Sequence, residues 1–256
     1  MKKIYFLVIA VLFSLNMTPA QANTVLIQDT SLNKISISPV NNLYNSHGII
    51  SSIISPSTTI TAAELQNTNL FVSYLPAQSY TSPEIDALKG FLNQGGRILF
   101  MGDYGFGNSY YNNQYNKAIN ADISALGGTM ASDDLDYDWA DLTATVSNGQ
   151  ILPSFLTTGV NSFSYAAISG ITGNGFSKFF LGTDLSTVFG AYQQVGQGGI
   201  VLLTDITNIQ SIGSSNGNGQ FYLNVATAGA LVPLPAAIWL FGSAFVGCIG
   251  ISRRKS

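Results

Sequence analysis

Cysteine is almost missing from this chain: the only one is Cys248, inside an apolar run near the C-terminus. Everything upstream therefore has no disulfide, no thiolate nucleophile and no cysteine metal site, and must be stabilised by packing alone. In that run Cys248 reads as a small apolar filler. Histidine is equally scarce. His47, beside Gly48, is the only one, and it reads as a turn residue. Charged residues make up 9% of the chain. No Gly-x-Ser-x-Gly elbow, no Walker sequence and no complete Gly-x-Gly-x-x-Gly is present; Gly105-Phe106-Gly107 lacks the third glycine. These absences remove cysteine- and elbow-based hydrolases, P-loop enzymes and dinucleotide enzymes, and no cofactor is expected.

What charge there is lies unevenly. All 13 acidic residues fall between Asp29 and Asp205, but in that interval the basic ones are only Lys34, Lys89, Arg97, Lys117 and Lys178. Five cations against thirteen anions leave a formal −8 there. An acidic surface excludes nucleic acid as a partner, which demands a basic face. The other cations sit at the two ends. Lys2 and Lys3 precede an apolar stretch from Ile4 to Leu15 and a small-x-small site at Ala20-Gln21-Ala22. That order is a secretory signal peptide, residues 1–22, with signal peptidase expected to cut before Asn23.

The C-terminal end has three parts in sequence: Val232-Pro233-Leu234-Pro235, an apolar run over 236–251, and the basic cluster Arg253, Arg254 and Lys255. The run is slightly shorter than the roughly 20 residues of a comfortable membrane span. Trp239 suits one interface, and the cationic cluster suits retention on the cytoplasmic side. In its VPLPAA…WLFGS…RRK form this tail resembles the PEP-CTERM sorting signal of Gram-negative bacteria. Leu234 stands where the namesake motif has Glu, as in the VPLP variant. The resemblance implies a transmembrane helix over 236–251, transient residence in the inner membrane, and cleavage by exosortase near the Pro-x-Pro block. The mature protein would then reach the cell surface or the extracellular matrix, with exopolysaccharide as a candidate partner. A permanently anchored periplasmic protein differs only in whether residues 231–256 stay attached.

Between the two signals, residues 23–230 form a core of about 210 residues, enough for one α/β domain. Short apolar runs predict strands at about 24–28, 69–75, 97–101 and 200–204. Ser82-Pro83-Glu84 predicts a helix start, with Ser82 as N-cap and Pro83 at the first position. Ile85, Leu88, Phe91 and Leu92 give it an apolar face, and Gly95-Gly96 a left-handed end. A strand–helix–strand unit of this kind pairs its strands in parallel. A further helix is expected from Gln220 to about Ala228. The stretch from Asn41 to Ile54 reads as helical or irregular. Residues 131–196 hold β-rich pieces, including 176–181 and 186–189, in no readable order. The expected architecture is a three-layer α/β domain with a mainly parallel sheet, flavodoxin-like in type.

The segment EIDALKGFLNQGGRILFMGD, and the later pairing of GGIVLLTDITNI with NGNGQFYLNVATAGA, resemble class I glutamine-amidotransferase-like domains. The catalytic members carry a Gly-x-Cys-x-Gly elbow and a partner histidine. With no cysteine in this core, the resemblance implies a noncatalytic relative.

Open parallel sheets bind ligands beyond the carboxyl ends of their strands. Asp29, Asp103 and Asp205 each follow or end a predicted strand, so the candidate ligand site comprises Asp29, Asp103, Tyr104 and Asp205. The Tyr- and Asn-rich loop from Tyr104 to Tyr115 has the chemistry of a carbohydrate platform. The competing reading for the aspartates is turn and N-cap duty. A secreted hydrolase of polysaccharide or peptide is the alternative function; it needs two carboxylates about 5–10 Å apart in a cleft. Asp134, Asp136 and Asp138 alternate like the start of a calcium loop. However, Trp139 and Thr145 occupy the places where an EF-hand needs Gly and a bidentate Glu, so a solvated acidic loop is the expectation there.

Overall fold

The central strands are buried throughout, and pleating divides their side chains between two apolar layers, one on each face of a sheet. The computed structural model describes residues 23–30, 35–105, 113–213 and 216–227. In chain order it contains β1 (Thr24–Asp29), α1 (Ser38–Ser46), β2 (Ile50–Ile54), α2 (Ala62–Leu65), β3 (Leu70–Tyr74), α3 (Ser82–Asn93), β4 (Arg97–Met101) and α4 (Asn113–Leu126). Then follow β5 (Ala131–Ser132), β6 (Leu142–Thr145), β7 (Ser162–Tyr165), β8 (Ile171–Thr172), β9 (Ser177–Leu181), β10 (Val188–Val195), β11 (Gly198–Leu203) and α5 (Asn218–Thr227). The seven-stranded main sheet runs β2-β1-β3-β4-β11-β10-β9. Its first five strands are parallel, and β10 and β9 add an antiparallel edge.

On one face Val25, Ile27, Val72, Leu99 and Val201 pack with Val40 and Tyr44 of α1 and Phe221, Tyr222 and Val225 of α5. On the other, Leu26, Phe71, Ile98, Phe100, Ile200 and Leu202 pack with Ile85, Leu88 and Phe91 of α3 and Ile119 and Ile123 of α4. The β6–β7 hairpin closes over the first face, where Phe163 stacks on Phe180 with ring centroids 4.2 Å apart.

The mainly parallel α/β sheet matches the sequence expectation, and the four expected strands are all present within a residue or two. Local details differ. The cap of α3 is Thr81, one residue before Ser82: its N–H and Oγ1 both donate to Glu84 Oε2, at 2.9 and 2.7 Å, so Pro83 becomes the second helical residue. Gly95, at φ +92, ends the helix in a Schellman arrangement, with Gly96 N–H donating to Phe91 O and Gly95 N–H to Leu92 O. The stretch 41–54, expected to be helical or irregular, is the end of α1 followed by edge strand β2. The amide of Asn45 accepts from Ser51 N–H and donates to Ser51 O, so a side chain occupies part of the open edge of β2. The final helix begins at Asn218, two residues earlier than expected.

The expected signal peptide 1–22 and the expected sorting tail with Val232, Pro233, Leu234, Pro235, Arg253, Arg254 and Lys255 lie outside the described residues, as does most of the Tyr104–Tyr115 loop. Among the described residues no helix is long and apolar enough to cross a membrane.

Candidate functional site

Strand β1 connects through α1 outward to β2, and β2 then returns through α2 to β3 on the other side of β1. This reversal makes a topological switch point at the carboxyl ends of β1 and β3, the position where sheets of this type take ligands. Asp29 of β1 is in register with Tyr74 of β3 there. The next residue, Leu75, is fully buried with a left-handed backbone (φ +46), an unfavourable state for a branched side chain. It is held by Leu75 N–H donating to Met101 O at 3.0 Å and by Thr30 Oγ1 donating to Leu75 O at 2.6 Å.

The parallel strands set Asp29, Asp103 and Asp205 at or just beyond the carboxyl ends of β1, β4 and β11, along one edge of the sheet. Tyr74 hydroxyl donates to Ile35 O and is strongly held in its protonated form, first by burial and then by the charges of Asp29, Asp103, Asp205 and the neighbouring Tyr115. Accessibility separates the acids. Asp29 is half-buried, whereas Asp103 and Asp205 are 2% and 0% exposed. Asp205 caps the turn 207–211: its carboxylate accepts from Thr207 N–H (2.7 Å), Thr207 Oγ1 (2.5 Å) and Asn208 N–H (3.2 Å). Burial raises its pKa to about 7 against these donors, and the charge of Asp103 adds to the rise. Asp103 Oδ1 accepts from Tyr104 N–H at 3.0 Å.

Asn116 of α4, buried and without any signal in the sequence, ties this edge together. Its Oδ1 accepts from Asp103 N–H, and its Nδ2 lies 2.8 Å from Asp103 O, 3.2 Å from Asp134 Oδ1 and 3.3 Å from Ser169 Oγ. The acidic segment 133–138 is thereby brought over the tip of β4. A Cβ on Gly105 would fall 1.8 Å from Asp134 O, so only glycine permits the approach. Asp138 accepts from Tyr165 OH, Thr183 N–H and Thr183 Oγ1. Desolvation pushes the pKa of Asp134 and of Asp136 upward, and acidic neighbours add to both. Among the described residues no three His, Cys, Asp or Glu side chains are grouped to hold a metal ion.

Beyond the sequence-predicted residues, the structure adds an aromatic pair and a buried polar chain. Tyr104 meets Trp139 edge-on with centroids 5.0 Å apart, and Trp139 is 63% exposed. Tyr115, expected at the platform, is instead buried in the core. Asn208 Nδ2 donates to Asp205 O, Tyr222 OH to Asn208 Oδ1, and Asn218 Nδ2 to Asn208 O and Ser164 O. This chain fixes the turn after β11 to α5 and β7. What the rim offers a ligand is therefore Asp29, Tyr104 and Trp139; the two enclosed acids serve the loops.

No family model and no curated protein sequence matches this chain. Its fold is similar to that of the mmIFT52 N-terminal domain, with TM-score 0.59 and 14% identity over 83% of this chain and 99% of that one. It is also similar to the cytoplasmic protein STM1381 from Salmonella typhimurium LT2, with TM-score 0.59 and 9% identity over 80% and 98% of the two chains. Gan42B, a GH42 beta-galactosidase, aligns with TM-score 0.50 and 10% identity, covering 80% of this chain but 29% of the galactosidase. At these identities the likeness extends to the fold alone.

Proposed function

We propose that this chain is an exported, exosortase-processed protein of the bacterial envelope or extracellular matrix, whose α/β domain binds and does not catalyse. The observation that carries the reading is the pair of terminal signals. Lys2-Lys3 with an apolar run and Ala20-Gln21-Ala22 stands at one end, and Val232-Pro233-Leu234-Pro235 with an apolar run and Arg253-Arg254-Lys255 at the other. The core is read as a noncatalytic relative of class I glutamine-amidotransferase-like domains. Supporting this are the α3–Gly-Gly–β4–Asp103 unit and the β11–Asp205–turn–α5 unit.

Binding is favoured over hydrolysis by solvent access. A hydrolytic pair needs two carboxylates open to substrate, whereas Asp103 and Asp205 are enclosed and Asp205 is engaged by three donors. The exposed Trp139, edge-on to the half-buried Tyr104, offers an aromatic face, the chemistry that sugar rings stack upon. The ligand placed here is an exopolysaccharide. N-terminal mapping combined with cell fractionation tests the export half of this reading: a chain beginning at Asn23 in the envelope or medium is expected. A chain beginning at Met1 in the cytosol overturns it.

A further inference from the structure

A buried cation lies at the opposite end of the sheet. Arg97 opens β4, its side chain is 7% exposed, and among the described residues no carboxylate pairs with it. One N–H, on Nη1, donates to Val225 O at 2.5 Å, and the guanidinium carbon stands 5.5 Å from the centroid of the Phe155 ring. A guanidinium carries five donors in a planar fork, so most of its hydrogen-bonding capacity is unused by the protein. Burying such a cation without an acid is unfavourable. Desolvation accordingly lowers the pKa of Arg97, offset in part by Tyr192 and Tyr44.

A cavity of about 310 Å³ opens beside it, lined by Arg97, Phe155, Tyr192, Gln194, Gln197 and Gly199. That volume is at the small end of the range for organic ligands. Phe155 and Tyr192 meet edge-on, centroids 5.0 Å apart. The Tyr192 ring lies against Gly199, where a Cβ would come within 2.3 Å of it. Gln194 and Gln197, both exposed, complete the rim with amide donors and acceptors.

The plain alternative is that Arg97 only caps α5 by meeting the carbonyl of Val225. Capping needs a single donor and a positive charge near the last turn, which explains neither the unused fork nor the aromatic and amide walls. We propose that this cavity binds a ring-sized carboxylate of the uronic-acid class. The carboxylate takes the free side of the guanidinium fork. The ring packs against Phe155 and Tyr192, and its hydroxyls meet Gln194 and Gln197. This site is remote from the strand-end switch point and does not depend on export or processing.

The test is calorimetric titration of the purified full-length chain with D-glucuronate, D-galacturonate, neutral D-glucose and acetate. Saturable binding of at least one uronate is expected, with glucose and acetate at least roughly tenfold weaker. Arg97→Lys keeps a cation beside Val225 but removes the fork, and is expected to weaken uronate binding roughly tenfold while unfolding near the wild-type midpoint. Gln194→Ala with Gln197→Ala, at exposed positions, is expected to weaken it severalfold and serves if Arg97→Lys does not fold. No saturable uronate binding, equal binding of acetate, or unchanged affinity in both variants overturns the proposal.

Discussion

Asp103 and Asp205 stand at the same level beyond neighbouring strands, because the β4–β11 register pairs Met101 with Leu203 and each acid follows two residues later. The proximity is electrostatic as well as geometric: Asp103 adds to the rise that burial imposes on Asp205, whose pKa reaches about 7. Acids so placed act as fixed parts of the sheet edge.

A pH dependence of stability follows from Asp205 and from a second enclosed acid, Asp122 of α4. Asp122 is 1% exposed, accepts from Tyr80 N–H at 2.9 Å through Oδ1, has no partner at Oδ2 among the described residues, and is also raised by burial to about 7. For both groups the folded pKa exceeds the unfolded value, so the folded state holds the extra proton. Stability should therefore fall as pH rises from about 4 to about 7 and level off above. A three-unit shift corresponds to at most about 4 kcal/mol per group. Urea unfolding across that range checks the slope, and Asp122→Asn is expected to flatten it and to raise stability above pH 7.

Asp205→Ala should destabilise the domain by about 2 kcal/mol, since it removes the acceptor of two backbone N–H groups and one hydroxyl in a dry site. Asp29→Ala, at a half-buried position, should cost about 1 kcal/mol or less. Chemical denaturation of the two variants side by side measures the contrast.

Gly105→Ala should destabilise by more than about 2 kcal/mol, because the added methyl would overlap the carbonyl of Asp134 and lift the acidic segment off the tip of β4. Near-wild-type stability of this variant would mean that segment 133–138 does not pack there.

Tyr104→Ala with Trp139→Ala should leave the unfolding midpoint nearly unchanged, because Trp139 is mostly exposed, but should weaken binding of the host's exopolysaccharide about tenfold or more. Calorimetry on the double variant reads both quantities on one preparation.

The parts of the fold legible in sequence were those with a strong local cause. Gly95-Gly96 needs a left-handed end, and the runs TVLIQ, LFVSY, RILFM and GIVLL are buried on both faces. Strand β2 was hidden because ISSII sits at an edge with Ile50 and Ile53 exposed, so its burial shows no pattern. Within 131–196 the pieces at 176–181 and 186–189 match β9 and the start of β10, but their order was unreadable because β5, β6, β7 and β8 are two to four residues long and pair across distant loops. That Asp29, Asp103 and Asp205 share one edge of the sheet could be expected from strand ends alone. Their unequal burial could not, because Asn116 reaches Asp103 from α4, and Tyr222 of α5 closes on the Asp205 turn by bonding Asn208, contacts that only the tertiary fold makes.

The central claim is that both ends of this chain are processing signals and only the domain between them persists. Intact-mass analysis of the protein from its host, with and without the exosortase gene, tests it most directly. On this proposal the Pro233-Leu234-Pro235 block is the cleavage region and Arg253-Arg254-Lys255 the retention signal. The account predicts a wild-type product that starts at Asn23 and lacks Trp239 and everything after it, with a longer, membrane-bound form in the deletion strain. The same mass in both strains, with residues 236–256 retained, would contradict it.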